Sequence, residues 1–227
     1  MDRFLFPKWM NKFVPLMIGV LLVGGAYGGT LLFVTSSPEI LNRGYRPIQP
    51  VPFSHKLHAG RLKMDCRYCH NTVEKAAHAA VPPTATCGNC HSGADAAGVT
   101  PYASVQANSV ALEPVRTSLA TGDSVDWIRV HNLPDFVYFN HSAHVTRGVS
   151  CVECHGRVDR MDVVTVVEPI SMTWCLECHR NPDPHIRPVD EVTNLEWVPD
   201  GDPAVLGKKL REELNIKPST NCSTCHR

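Results

Sequence analysis

The sequence lacks a surplus of either charge: 22 Lys and Arg balance 22 Asp and Glu, for a formal net charge of zero. It therefore has no basic field of the kind that attracts nucleic acid. Aromatic residues are scarce, at 7%, while 18 prolines and 15 glycines interrupt the chain. That composition predicts short helices and irregular loops with little regular structure. No cysteine occurs in the first 65 residues, so no thiol is available there for a lipid anchor. No charged residue occurs between 13 and 38, FVPLMIGVLLVGGAYGGTLLFVTSSP. At about 1.5 Å per residue this stretch is more than long enough to cross roughly 30 Å of hydrocarbon.

One N-terminal membrane-spanning helix is expected there, as a retained anchor. The cleaved signal peptide is the weighed alternative, because the small residues from Gly24 to Gly29 resemble a cleavage region. Arg3, Lys8 and Lys12 with Trp9 make a cytoplasmic flank with an interfacial aromatic, although Arg43 and Arg46 on the far side dilute the charge asymmetry. Gly24 with Gly28 and Gly25 with Gly29 form two overlapping GxxxG spacings that admit a partner helix.

All ten cysteines fall in five pairs of one spacing, each followed directly by histidine: CRYCH (66 to 70), CGNCH (87 to 91), CVECH (151 to 155), CLECH (175 to 179) and CSTCH (222 to 226). Five such histidines arise by chance with a probability below roughly one in a million. A zinc ribbon needs CxxC pairs in twos and gains nothing from a histidine after every second cysteine. A redox dithiol explains one pair, and disulfides leave the histidines unexplained. In c-type cytochromes the two thiols bond to the vinyl groups of one haem and the adjacent histidine ligates its iron. Five covalent haem c groups are therefore expected, on Cys66 and Cys69, Cys87 and Cys90, Cys151 and Cys154, Cys175 and Cys178, and Cys222 and Cys225. The proximal ligands are His70, His91, His155, His179 and His226. Covalent haem attachment takes place outside the cytoplasm, which puts the globular part on the periplasmic side of the inner membrane.

Residues 39 to 227 leave about 38 residues per haem, too few for a large aliphatic core, so the haems themselves are expected to form it. The fold class is a multihaem cytochrome c: mostly irregular, with short α-helices wrapped around five haems, plus the N-terminal transmembrane helix. An internal repeat divides it. FSHKLHAGRLKMDCRYCHNTVEK (53 to 75) matches FNHSAHVTRGVSCVECHGRVDR (139 to 160), with seven residues in one copy and six in the other between His-x-x-His and CxxCH. The expected organisation is an anchor (1–38), a first dihaem module (39–100), a linker (101–137), a second dihaem module (138–190) and a C-terminal segment with the fifth haem (191–227). One solvent-side helix reads from an Asp202 N-cap and Pro203 to Leu214. Val163 to Val167 reads equally as a short strand or an extended loop.

Five of the 12 histidines are proximal, leaving His55, His58, His78, His131, His141, His144 and His185. Imidazole in the sixth position gives a closed, low-spin iron suited to electron transfer. In both repeats the pair is spaced i, i+3, so that the two rings splay toward two haems. His55 and His58 are the distal candidates of the first module, and His141 and His144 those of the second. His131, on the apolar stretch WIRVHNLPDFVYFNH, is the fifth choice, ahead of His185 and His78. Met64, Met161 and Met172 are the competing thioether ligands, and a lone methionine is more often packing.

The F-S/N-H-x-x-H plus CxxCH module is similar to that of the small tetrahaem cytochromes of sulfate reducers. The whole pattern, from PVPFSHKLHAGRLKMDCRYCHNTVEK through VPPTATCGNCH, WIRVHNLPDFVYFNHSAHV and SMTWCLECHRNP to the terminal CSTCH, resembles the pentahaem cytochrome c subunits of alternative complex III, a bacterial quinol:electron-acceptor oxidoreductase. That resemblance implies an electron-transfer subunit with no bond chemistry of its own. It also implies partners: an iron-sulfur subunit, polytopic membrane subunits, a monohaem cytochrome c and a periplasmic electron acceptor. The rival reading is a stand-alone, single-helix multihaem quinol dehydrogenase. A haem enzyme of the nitrite-reductase kind needs an open iron, whereas every site here is CxxCH and spare histidines outnumber the irons.

Overall fold

A computed structural model describes residues 7–35, 42–92 and 105–226. The chain divides into two units, Met1–Asn42 and Arg43–Arg227. In the first unit, helix α1 spans Met10–Thr35, 26 residues with none buried. At about 1.5 Å per residue it is roughly 39 Å long, beyond the thickness of a hydrocarbon core. It is long and apolar enough to cross a membrane. Its apolar side chains run all round rather than in one stripe, as a lipid-exposed helix requires. The hydroxyls of Thr30 and Thr35 donate to the carbonyls of Ala26 and Leu31, each at 2.8 Å, so both polar groups are satisfied within the helix. A Cβ at Gly24, Gly25, Gly28 or Gly29 would meet nothing within 4 Å. Arg3 and residues 36–38 of the uncharged stretch lie outside the described residues.

The second unit is built of short helices: α2 (Cys66–Cys69), α3 (Thr84–His91), α4 (Glu113–Thr121), α5 (His141–Val145), α6 (Cys151–His155), α7 (Met172–Arg180), α8 (Pro203–Glu213) and α9 (Cys222–Cys225). No strand occurs among the described residues, only two isolated antiparallel bridges, Val137 with His226 and Val149 with Ile186. Of the two readings of Val163 to Val167, the extended loop is the one observed. Val166 accepts from the Gly44 N–H at 2.7 Å and donates to the Tyr45 carbonyl at 3.1 Å, with no further ladder.

Helix α8 begins as expected: the Asp202 side chain accepts from the Ala204 N–H at 2.8 Å and Pro203 occupies the first turn. It is less of a solvent-side helix than expected. Gly207 is buried, and a Cβ there would lie 1.7 Å from the Asp183 carbonyl oxygen. The stretch read as a linker holds α4, whose Leu119 meets Gly88 of α3 and whose Ser118 hydroxyl donates to Thr84 at 2.8 Å.

The two repeats fold alike despite their difference in length. In the second copy the Val149 N–H closes a turn on the His144 carbonyl at 3.1 Å; in the first the equivalent Met64 N–H closes on His58 at 3.1 Å, one residue longer. The extra residue is taken up by a wider π-helical turn, Lys56–Arg61. Gly148 stands at φ +81 before the second motif, and Lys63 occupies the equivalent left-handed position at φ +55.

Among the described residues eight apolar side chains are buried: Val51, Val73, Val115, Val145, Val166, Ile186, Val192 and Leu195. None of these is aromatic, and among them Val73, Val145 and Val192 form a cluster, with Ala79 packed against it. The apolar core of the described residues is sparse for a unit of this size.

Candidate haem centres

Each CxxCH motif sits on one helical turn, which sets the two sulfurs three residues apart on one face and the histidine one residue further on. Caps fix where those turns begin. The Asp65 carboxylate accepts from the Arg67 N–H at 2.8 Å, the Ser150 hydroxyl from Val152 at 3.4 Å and the Ser171 hydroxyl from Trp174 at 3.3 Å. A serine or aspartate directly before the first cysteine was the sequence signal for two of these. Asp65 and Ser150, equivalent in the repeat, reach adjacent residues. Asp65 accepts from the Thr193 hydroxyl at 2.9 Å, and Ser150 donates to the Val192 carbonyl at 2.6 Å.

The imidazoles are held in one orientation. Nδ1 of His70 lies 2.9 Å from the Ala80 carbonyl, and that of His91 2.7 Å from Val105. His179 meets Ser219 at 2.7 Å and His226 meets Phe136 at 3.3 Å. His58 meets Ser54 at 2.9 Å, His141 meets Ala77 at 2.8 Å and His144 meets Asn140 at 2.8 Å. A carbonyl accepts only from an N–H, so Nδ1 carries the proton and Nε2 keeps its lone pair for a metal. Burial keeps several rings neutral. It lowers His155 to about 3, with help from His131 and His141, and lowers His55 to about 4, with help from His70 and His58. His144 is lowered as well, again chiefly by burial.

Two imidazoles that share an iron stand with ring centres about 6 Å apart, from metal–nitrogen bonds of about 2 Å plus about 1 Å to each ring centre. Three pairs have that separation: His58 with His91 at 6.3 Å, His141 with His155 at 6.4 Å and His144 with His179 at 6.1 Å. Each joins a distal candidate to a proximal one. By the repeat, the remaining pair is His55 with His70, which are neighbours. His55 Nδ1 is buried without a hydrogen-bond partner. At the second and fourth motifs the residues therefore fit haem on two independent counts, tautomers that leave Nε2 free and ring separations that suit a bridging iron; at the third the separation and the His141 tautomer fit.

One phenylalanine holds both distal rings in each module, a role that the sequence alone did not suggest. Phe53 stacks on His58 at 4.4 Å and meets His55 edge-on at 4.9 Å; Phe139 does the same to His144 at 4.5 Å and His141 at 4.8 Å.

The fifth distal candidate stands elsewhere. His131 lies edge-on to His155 with ring centres 4.3 Å apart, too close for the two to share an iron, and its Nε2 is buried without a hydrogen-bond partner. Among the described residues no histidine ring faces His226, whose ring contact is with Phe136 at 5.8 Å. Of the other candidates, His185 places Nδ1 2.7 Å from Glu153, whose carboxylate raises its pKa and also accepts from Arg187 at 3.3 Å. His78 and Met172 are exposed, while Met64 and Met161 are half-buried.

The comparisons with known proteins bear on the same residues. The family described as cytochrome c7 and related cytochrome c matches residues 51–109 and 137–227, which include all five motifs and omit α4. The chain is also 39% identical, over 107 residues, to the multihaem cytochrome c subunit of menaquinone reductase from Nitratidesulfovibrio vulgaris (strain Hildenborough). That match covers 47% of this chain and 45% of the relative, so less than half of the relative's length is represented. With the family matched over both repeats and the terminal motif, the chain is a multihaem cytochrome c that belongs to the family of cytochrome c7 and related cytochromes c.

Proposed function

We propose that this chain is a membrane-anchored pentahaem cytochrome c, the electron-transfer subunit of a quinol:electron-acceptor oxidoreductase of the alternative complex III kind. Haem, when bound, supplies a one-electron redox centre at each motif. The chain's residues would supply the rest: ten cysteines would tether the macrocycles, His70, His91, His155, His179 and His226 would each hold one iron, and His55, His58, His141 and His144 would be further ligands at the first four motifs. His131 is the further axial candidate, on the strength of its buried, unpartnered Nε2. Irons closed on both faces by histidine would leave no site for substrate at the first four motifs, and in this reading bond chemistry belongs to partner subunits.

The observation that carries this reading is the recurrence of imidazole pairs about 6 Å apart over successive CxxCH turns. The link to quinol rests on the resemblance to the alternative complex III subunits and on the relative named as part of a menaquinone reductase. In this reading α1 crosses the inner membrane with its N-terminus in the cytoplasm, and the haem unit faces the periplasm. The partners are an iron-sulfur subunit, polytopic membrane subunits, a monohaem cytochrome c and a periplasmic acceptor.

The test is purification in mild detergent with partners retained, followed by a pyridine haemochrome assay and a quinol-oxidation assay on the same sample. Five haems per chain, with quinol activity lost when this chain is separated from its partners, is the expected result. Activity retained by the lone chain makes it the stand-alone dehydrogenase, and fewer than five haems refutes the pentahaem reading.

A further inference from the structure

The five motifs are not neighbours in the order in which the chain presents them. The second motif touches the first: the Asn89 amide donates to the Tyr68 hydroxyl at 2.9 Å, Cys69 neighbours Cys87, and His55 and His58 on one turn serve the two sites. The first motif touches the third rather than only the second. The Cys66 and Cys151 thiols are neighbours. His141, paired with His155, donates from both its Nδ1 and its backbone N–H to the carbonyl of Ala77, seven residues past the first motif's histidine. One backbone bond from the Lys56 N–H to the Met161 carbonyl, at 3.0 Å, and the ion pair of Lys56 with Asp162, also at 3.0 Å, fasten the same two modules.

The third and fourth sites are joined by His141 and His144 on α5 and by adjacent Cys154 and Cys178. The fourth and fifth are joined by His179, whose Nδ1 bonds to Ser219 three residues before the last motif, and by neighbouring Cys175 and Cys225. Among the described residues no hydrogen bond, ion pair or ring contact links the second motif to the third, fourth or fifth. None links the fifth to the first or second.

From these contacts we infer that the haem sites form one unbranched row in the order second, first, third, fourth, fifth, with the second and fifth as the ends at which partner redox centres dock. Exposure agrees with this order: of the ten cysteines only Cys90, in the second motif, and Cys222, in the fifth, are exposed. The first and third sites, at the junction of the two modules, are interior. A partner suited to either end is a one-electron carrier able to bring its own redox group against an exposed haem edge. The inference rests on the pentahaem reading and adds to it the sequence in which electrons traverse the sites.

The test is an experimental structure of the haem-loaded protein, purified with its partners in mild detergent, with the irons located and a pyridine haemochrome count made on the same sample. The expected nearest-neighbour irons are second–first, first–third, third–fourth and fourth–fifth, with partner redox groups closest to the second and fifth. Five irons with the second beside the third, with the first at an end, or with a partner group closest to the first, third or fourth overturn the order and leave the pentahaem reading intact. Fewer than five haems in the count overturns the pentahaem reading itself.

Discussion

Replacing His144 by alanine tests the site geometry most directly. Its ring centre stands 6.1 Å from that of His179, and Asn140 and Phe139 fix its orientation. Removing it opens the sixth position at one iron of five, so about one fifth of the haem should turn high-spin while the total haem count stays the same. The variant also loses one hydrogen bond, about 1 kcal/mol, and one ring contact, about 0.5–1.5 kcal/mol. That loss should lower the melting temperature by only a few degrees in a unit of this size. Electron paramagnetic resonance of the oxidised protein reads the high-spin fraction, and near-ultraviolet circular dichroism confirms that the fold persists. The His144→Met variant should stay six-coordinate and raise the potential of the same site. A fully low-spin spectrum for His144→Ala, with five haems present, would refute the assignment of His144 to the fourth iron.

Three further outcomes follow from named contacts. His131→Ala should shift the spin state or potential of one haem, whereas His78→Ala, at an exposed ring, should leave both unchanged; identical spectra for the two would remove His131 from the ligand set. Gly207→Ala puts a methyl group 1.7 Å from the Asp183 carbonyl oxygen and 2.7 Å from its carbon, so α8 must shift; overpacking of about 1–3 kcal/mol should lower the melting temperature by several degrees without changing the haem count. The hydrogen bond from Arg67 holds the Asp65 carboxyl at about 2, below its ordinary 3.8. A carboxyl depressed in the folded state contributes stability above about pH 4 that is lost as pH falls toward 2. Acid titration of D65N by circular dichroism should therefore show less loss across that window than the unsubstituted chain.

The covalent chemistry was legible because CxxCH is a local requirement: two thiols and an imidazole must meet one macrocycle from one turn, and the sequence repeats that turn five times. The long apolar helix α1 was legible for a similar reason, since the stretch without a charge from 13 to 38 sets its length and character. Helix α8 could be read from its Asp202 cap and Pro203, but its burial against Asp183 could not. The close approach at Gly207 depends on a residue 24 positions earlier in the chain, and glycine gives no pattern that announces it.

The repeat carried more information than its two residue counts suggested. His-x-x-His predicts two rings serving two sites, and the separations of His58 from His91, His141 from His155 and His144 from His179 suit that reading. What spacing could not convey was the order of the sites in space. That order follows from Ala77, which gives its carbonyl to His141 across 64 residues, and from the caps at Asp65 and Ser150, which converge on Thr193 and Val192. These are ordinary polar contacts between loops, without periodicity or motif. They nonetheless set the first motif against the third, so that in the inferred row the two repeats meet there and the second and fifth motifs stand at the ends.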